Sequence, residues 1–118
     1  MSDRIVEKNG ESYLLLSASG PQFASEADGT ELISLCFEHG VSRILIPQGR
    51  LGEDFFNLKT RVAGLVVQKI ANYRMKAAAV ISQQDIKGRF AEFMLESNRG
   101  NVFRAFANTE EAEAWLLR

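Results

Sequence analysis

The segment KAAAVIS, residues 76–82, constrains the fold more than any other stretch of this chain. A strand with one face in water alternates apolar and polar residues, whereas this segment is apolar on both faces. Continuous apolar strands of this kind are typical of the middle of a parallel sheet that helices cover on both sides. The segment therefore predicts an α/β domain with a mostly parallel sheet.

Strand-like and helix-like segments alternate along the rest of the chain. Asn9-Gly10 separates two strand-like runs, and this pair strongly favours a two-residue hairpin turn between antiparallel strands. The predicted order is ββαβαβαβα, which describes one domain over residues 1–118 with a five-stranded sheet, an N-terminal antiparallel hairpin and four helices. The predicted strands are 4–8, 13–16, 43–46, 76–82 and 101–106. The predicted helices are a first one that Ser25 or Asp28 caps and Gly40 ends, then 53–74, 86–97 and the segment after Asn108.

Composition argues against several classes of function. The 118 residues are 46% hydrophobic and 25% charged, which is ordinary for a globular domain, and the formal net charge is −1. Acids and bases are interspersed, so no basic field predicts binding to nucleic acid or to an anionic membrane. The single cysteine, the polar N-terminus MSDRIVEKNG and the lack of an apolar run of about 20 residues predict a cytoplasmic protein.

Side chains that support catalysis or metal binding are few. Lys59-Thr60 is not a P-loop, because Leu58 stands where a Walker A loop needs its second glycine. Cys36 is expected to be a small buried hydrophobe of the first helix, and His39 suits the negative end of that helix. One cysteine and one histidine are too few soft ligands for a transition-metal site. We therefore predict no catalytic residue, no metal and no cofactor.

Two signatures resemble an uncharacterised bacterial family, a domain of unknown function of about this length. The first is DFFNLKT, residues 54–60, followed by Ala63-Gly64, Gln68-Lys69 and Asn72-Tyr73, and the second is ESNRGN, residues 96–101. The family pattern commonly has glycine at position 61 and an acid at position 57, where this chain has Arg61 and Asn57. The resemblance implies no known activity.

The element order, with its hairpin first, also resembles the STAS domain, the fold of bacterial anti-sigma-factor antagonists. Those proteins carry a phosphorylatable serine where the helix after the third strand begins. Residues 49–54 occupy that place here and contain no hydroxyl group, so the serine switch does not carry over. The resemblance implies a small regulatory module that acts through contacts with a protein partner.

The carboxyl ends of the parallel strands are the expected place for a ligand, because open α/β sheets bind ligands there. Residues 17–22, 48–54, 82–85 and 108–109 would form this edge. The alternative to a protein-binding module is a small-molecule binder or a weak enzyme that takes an anionic ligand in this crevice. Its candidate contacts are Arg50, Glu53, Asp54, Lys59 and Ser82.

Lys59 is the residue that fits the predicted helix at 53–74 least well. On a wheel of about 100° per residue it falls inside the apolar arc. Three explanations fit this position. The helix breaks near Leu58-Lys59; the side chain lies along apolar surface with its ammonium in water; or the ammonium pairs in the crevice with Glu53, Asp54 or Asp85.

The apolar arc of that helix is wide, about half the circumference. Phe56 and Val67 extend it to one side and are therefore predicted to form the interface of a homodimer, unless neighbouring helices cover them. A structural subunit of a larger assembly is a third role that fits the sequence.

Overall fold

The computed structural model describes residues 3–118, and its five strands form one sheet in which they lie side by side in chain order. The first two strands are antiparallel and all later pairs are parallel. This confirms the predicted α/β architecture with its five-stranded, mostly parallel sheet and N-terminal hairpin. The strands are β1 (Arg4–Lys8), β2 (Glu11–Leu15), β3 (Arg43–Pro47), β4 (Lys76–Val80) and β5 (Phe103–Phe106).

The hairpin turn between β1 and β2 has the geometry that its sequence favours. Asn9 and Gly10 both have positive φ, 53° and 83°, as the two central residues of a type I′ turn require. The register then pairs Val6 with Tyr13. Because the turn is only two residues long, it fixes which side chains of β2 face each side of the sheet.

Helices cover both faces of the sheet. They are α1 (Glu26–His39), α2 (Glu53–Phe56), α3 (Val62–Asn72), α4 (Gly88–Ser97) and α5 (Thr109–Leu116). Rows of apolar side chains alternate between the faces: Leu14, Ile44, Ala77 and Phe103 pack under α1, α3 and α4, whereas Tyr13, Leu45 and Ala78 pack under α5. Helices that connect successive parallel strands in one direction are expected on one face. Over residues 3–118, no helix is long and apolar enough to cross a membrane.

Small residues on β4 leave room for large aromatic rings above them. Ala77 and Ala79 are fully buried, and Phe55 of the short helix α2 is fully buried in the same core. The Phe55 ring lies 6.1 Å from Phe90 of α4 and 5.9 Å from Phe103 of β5, measured between ring centroids. These contacts fix α2 against the sheet although it is only one turn long.

The prediction of one helix at 53–74, and with it the count of four helices, is wrong. α2 ends at Phe56, a 3₁₀ turn covers Leu58–Thr60, and α3 begins at Val62. The Asn57 side chain accepts a hydrogen bond from the Lys59 amide at 3.1 Å, and the Thr60 hydroxyl donates to the Asn57 carbonyl at 2.8 Å. Polar side chains that bond nearby backbone in this way compete with helical bonds.

The break also explains the backbone conformation of Arg61, the residue just before α3. Arg61 has φ of 68°, in the left-handed region where glycine has no steric cost. A left-handed backbone is the physical reason that glycine suits this position. Of the three explanations for Lys59, the helix break is confirmed, because the continuous wheel that placed this lysine in the apolar arc does not exist.

The ESNRGN segment protects the free edge of β5. The Asn98 side chain accepts a hydrogen bond from the Ala105 amide at 2.9 Å, and the Ser97 hydroxyl donates to the Phe103 carbonyl. Exposed strand edges invite pairing with other chains, and covering their amides and carbonyls prevents it. The segment therefore both ends α4 and closes one edge of the sheet.

We predict that Asn98→Ala lowers the free energy of unfolding by about 1 kcal/mol, because the Ala105 amide loses its acceptor. The variant should also aggregate faster during refolding, since the edge of β5 becomes free to pair. Urea denaturation and light scattering measure the two effects. Asn72→Ala at the end of α3 is the control: it removes only an exposed hydrogen bond from Gln68, so it should change stability by less than about 0.5 kcal/mol and leave aggregation unchanged.

On the α5 face, a buried tyrosine connects β2 to the last helix. The Tyr13 hydroxyl donates to Glu113 at 2.7 Å, and the Lys8 ammonium donates to the other carboxylate oxygen at 2.7 Å. Burial, together with the hydrogen bond and charge of Glu113, raises the pKa of Tyr13 to about 12. The hydrogen bonds from Lys8 and Tyr13 in turn lower the pKa of Glu113.

This raised pKa predicts a loss of stability in alkali. The unfolded chain ionises Tyr13 above its ordinary pKa of 10.0, while the folded chain keeps the proton up to about 12. The free energy of unfolding should therefore fall as pH rises through this window. Tyr13→Phe should cost about 1 kcal/mol at neutral pH. Its deficit relative to the parent protein should shrink above pH 10.0, as measured by urea denaturation at each pH. A constant deficit would contradict this assignment.

Candidate functional site

At the carboxyl edge of the sheet, the buried guanidinium of Arg50 joins two loops. Arg50 is only 8% exposed. Its Nε donates to the Pro21 carbonyl at 2.6 Å, and its Nη1 donates to the Ser17 carbonyl at 3.1 Å and to Asp3 Oδ1 at 2.8 Å. The guanidinium also lies 5.9 Å from the centre of the Phe23 ring. Arg50 therefore holds the β2–α1 loop against the β3–α2 loop.

Glycines at this edge allow the same two loops to touch. A Cβ at Gly20 would lie 2.5 Å from the Arg50 guanidinium, and a Cβ at Gly49 would lie 2.5 Å from the Ala18 carbonyl oxygen. Both distances are shorter than side-chain atoms tolerate. These glycines let one loop approach the other, so their presence does not by itself indicate a ligand.

Gln48 connects the ends of β3 and β4. Its side-chain amide donates to Asp85 at 2.6 Å, and its side-chain carbonyl accepts from the Ser82 backbone amide at 2.7 Å. The polar groups of the β3–α2 and β4–α4 loops thus satisfy one another. Ser82 contributes its backbone to this link, while its side chain is exposed.

An open depression of about 400 Å³ lies at this edge, and another of about 250 Å³ lies beside Arg50, Asp3 and Phe23. The lining of the larger depression includes Gln22, Gln48, Glu53, Asp85 and Lys87. Two carboxylates face one ammonium here, so the local charge disfavours a small anion and suits a neutral polar or cationic molecule. Of the predicted ligand contacts, only Glu53 lines this depression.

The predicted ligand contacts do not come together. Arg50, Glu53 and Lys59 line three different depressions. Lys59 is exposed, lies beside Arg89 and Glu92, and makes no salt bridge within residues 3–118. Asp54 is exposed on α2. The crevice pairing of Lys59 with Glu53, Asp54 or Asp85 is therefore not the arrangement that the structure shows.

The two residues predicted at a dimer interface are partly buried and pack against the main core. The Phe56 ring lies 4.8 Å from the Phe90 ring, and Val67 lies between the core face and the solvent face of α3. Neighbouring helices therefore cover a large part of both. Other apolar side chains are more open to solvent, among them Leu95 at 61% and Leu65 at 37%.

The helix break leaves an apolar surface between α3 and α4, which we call the α3–α4 surface. Its apolar members are Leu58, Leu65 and Phe93, and they line two shallow depressions of about 390 and 340 Å³ that share Leu58 and Phe93. Leu65 is exposed, whereas Leu58 and Phe93 are half-buried and pack against the main core. Sequence reasoning missed this surface because it placed Leu58 and Leu65 on one continuous buried stripe. The signal in the sequence was the pair of polar residues Asn57 and Thr60, whose side chains bond nearby backbone groups and interrupt the helix.

Charged residues and a glycine border the α3–α4 surface. Lys59, Arg61, Arg89 and Glu92 line the two depressions, together with Gly64. Gly64 is exposed in the first turn of α3, and a Cβ there would meet nothing within 4 Å. Glycine inside a helix is less favourable than alanine by about 1 kcal/mol. The fold therefore gains nothing from a glycine at this position.

The single cysteine of the chain lies in the core and not at this surface. Cys36 is fully buried and is a free thiol, which confirms its predicted role as a core residue. Burial raises the pKa of this thiol to about 11, so it is protonated and unreactive at neutral pH. Within residues 3–118, no three His, Cys, Asp or Glu side chains come together as ligands of one metal ion.

Comparison with known proteins identifies the family. The profile of the family described as "Domain of unknown function (DUF4180)" matches residues 8–116. The chain therefore belongs to this family, which confirms the resemblance to an uncharacterised domain family. A search of curated proteins and a search of solved structures both found no match.

We predict that the two cations proposed as ligand contacts differ sharply in their effect on stability. Arg50→Met should lower the free energy of unfolding by about 2–4 kcal/mol, because it leaves the Ser17 and Pro21 carbonyls without their donor and Asp3 without its ion-pair partner. The exposed Lys59 is the matched control, and Lys59→Met should change the free energy of unfolding by less than about 0.5 kcal/mol. Urea denaturation measures both variants, and equal effects would contradict the structural role of Arg50.

Proposed function

We propose that this member of the DUF4180 family is a small STAS-like module that acts by binding a protein partner, without catalytic activity of its own. The observation that carries the proposal is the contrast between two parts of the molecule. At the carboxyl edge Arg50 and Gln48 bond other loops, whereas at the α3–α4 surface Leu65 is exposed and Leu58 and Phe93 are half-buried.

The topology supports the STAS-like part of this proposal. The hairpin comes first, the strands follow in chain order, and the last helix covers the face opposite the connecting helices. The turn that starts α2 contains no hydroxyl group, so any regulation here would differ from a serine switch at that turn. A reducing cytoplasm suits the single free cysteine.

The carboxyl edge supports the protein-binding proposal by what it does with its polar groups. Arg50 and Gln48 bond to other loops, and these bonds hold the ends of β2, β3 and β4 in place. Groups that catalyse must be free to contact substrate. A rigid edge of this kind is suited to presenting the neighbouring helices α2, α3 and α4 as a fixed surface.

A small-molecule ligand is the second candidate function. The observation that favours it is the depression of about 400 Å³ beside Gln48 and Glu53. Its two carboxylates change the expected class of ligand from an anion to a neutral polar or cationic molecule. A thermal-shift screen that contains amines, sugars, nucleotides and organic acids would find such a ligand. Loss of its effect in Glu53→Gln would place it in the depression.

The test of the proposed function is isolation of the full chain, tagged at its natural level, from the cells that produce it. We expect one or a few proteins that bind in stoichiometric amounts and rebind when purified. Quantitative mass spectrometry against an untagged strain identifies them, and light scattering of the purified chain reports self-association. A chain that is monomeric and recovers no specific partner would contradict the proposal.

A further inference from the structure

We propose that the α3–α4 surface binds a protein segment that carries both apolar side chains and carboxylates. This inference rests on the proposed function and specifies its partner chemistry. The residues that would contact this segment are three apolar side chains and the three cations that border them: Leu58, Leu65, Phe93, Lys59, Arg61 and Arg89.

The shape of the surface suits a short segment rather than a compact small molecule. Leu58 and Phe93 line both depressions, so they form a shared wall between two shallow sites of about 390 and 340 Å³. Shallow, adjoining apolar sites are typical of grooves that take successive anchor side chains of one helix or strand. Phe93 is held in place from below, because its ring lies 6.1 Å from the buried Phe90.

The charge of the surface specifies the partner further. Within residues 3–118, Lys59, Arg61 and Arg89 make no salt bridge. Among the described residues that line the two depressions, Glu92 is the one acid. Three cations against one carboxylate leave an excess of positive charge around an apolar floor. A partner with Asp or Glu beside its apolar anchors complements both features.

Gly64 supplies an independent reason to place a partner here. It faces open space on α3, and the domain itself has no steric need for a glycine at this position. Without a Cβ, the backbone of α3 is open to close approach by another chain. The glycine lines the same depression as Leu65 and Phe93, where an anchor side chain would lie.

A second copy of this chain is the competing occupant, and the experiment separates it from an acidic segment of another protein. Glu96, beside the exposed Leu95, pairs with Arg99 at 3.0 Å. Glu113 on α5 accepts from Lys8 and Tyr13. Glu38 lies beside the exposed Phe37 and makes no salt bridge within residues 3–118.

The experiment selects binders without assuming a sequence. Random displayed peptides of about 12 residues are selected on the immobilised full chain, and the enriched peptides are synthesised and titrated by calorimetry. We expect enrichment of Leu or Phe together with Asp or Glu. We also expect binding to weaken when salt rises from about 0.05 M to about 0.5 M.

Variants of exposed residues locate the binding surface. Lys59→Glu with Arg89→Glu should weaken binding of the selected peptides about tenfold or more, whereas Arg4→Glu with Arg74→Glu, the same change of charge elsewhere, should not. Leu65→Glu should abolish binding, and Leu95→Glu, also on an exposed helix face, should leave it unchanged. Gly64→Ala should raise the melting temperature yet weaken binding, a combination that a structural role for the glycine would not produce.

Three results would overturn the inference. The first is selection of no peptides or of basic peptides. The second is equal binding of the peptides to the α3–α4 surface variants and to their controls. The third is self-association of the chain that Leu65→Glu abolishes. If native partners are isolated but bind the α3–α4 surface variants normally, the proposed function stands and the α3–α4 surface is excluded as the binding site. If no native partner exists, the proposed function itself fails.

Discussion

The buried guanidinium of Arg50 is the contact on which the carboxyl edge of this domain depends. It replaces water with two backbone carbonyls and one carboxylate, so that Asp3 and the loop after β2 are held against the loop after β3. A buried charge is stable only when its donors are satisfied in this way. Gly20 and Gly49 are required around it, because any side chain at either position would collide with the opposite loop.

This arrangement uses polar groups at the carboxyl edge that a ligand would otherwise contact. The carboxyl edge is where open α/β sheets usually bind ligands, and here Arg50 and Gln48 use their polar groups to bond other loops, beside depressions of about 250 and 400 Å³. The helix that would have continued from α2 is broken at Asn57 and Thr60. The break leaves Leu58 and Leu65 at the surface beside Lys59, next to a face of α4. The loops at the carboxyl edge are thus held to one another, while the apolar side chains of the α3–α4 surface remain partly open to solvent.

The sheet was predictable because its signals are local and physical. The two-sided apolar segment at 76–82 indicated a central parallel strand, and Asn9-Gly10 indicated the hairpin. The ends of two helices were predictable for the same reason. Ser25, one of two predicted caps, precedes α1, and Gly40 ends that helix in the left-handed conformation. Asn108 accepts a hydrogen bond from the Glu111 amide at the start of α5.

The candidate site was much less predictable, for two physical reasons. A helical wheel assumes an unbroken helix, so it could not register that the Asn57 and Thr60 side chains bond backbone groups and stop the helix. Charge alone also suggested that Arg50 and Lys59 had similar roles. Their difference depends on long-range packing, since Arg50 is buried among carbonyls from a distant loop and Lys59 is exposed.

The most direct test of this account is photo-crosslinking in the cells that produce the protein. A photoreactive phenylalanine analogue is placed at position 65, inside the α3–α4 surface, or at position 95, outside it. By the helical repeat of about 100° per residue, position 95 faces away from Phe93 on α4. We predict a discrete adduct with another protein from position 65 that is lost with Lys59→Glu and Arg89→Glu, and no such adduct from position 95. Adducts of equal yield from both positions, or none from position 65, would contradict the account.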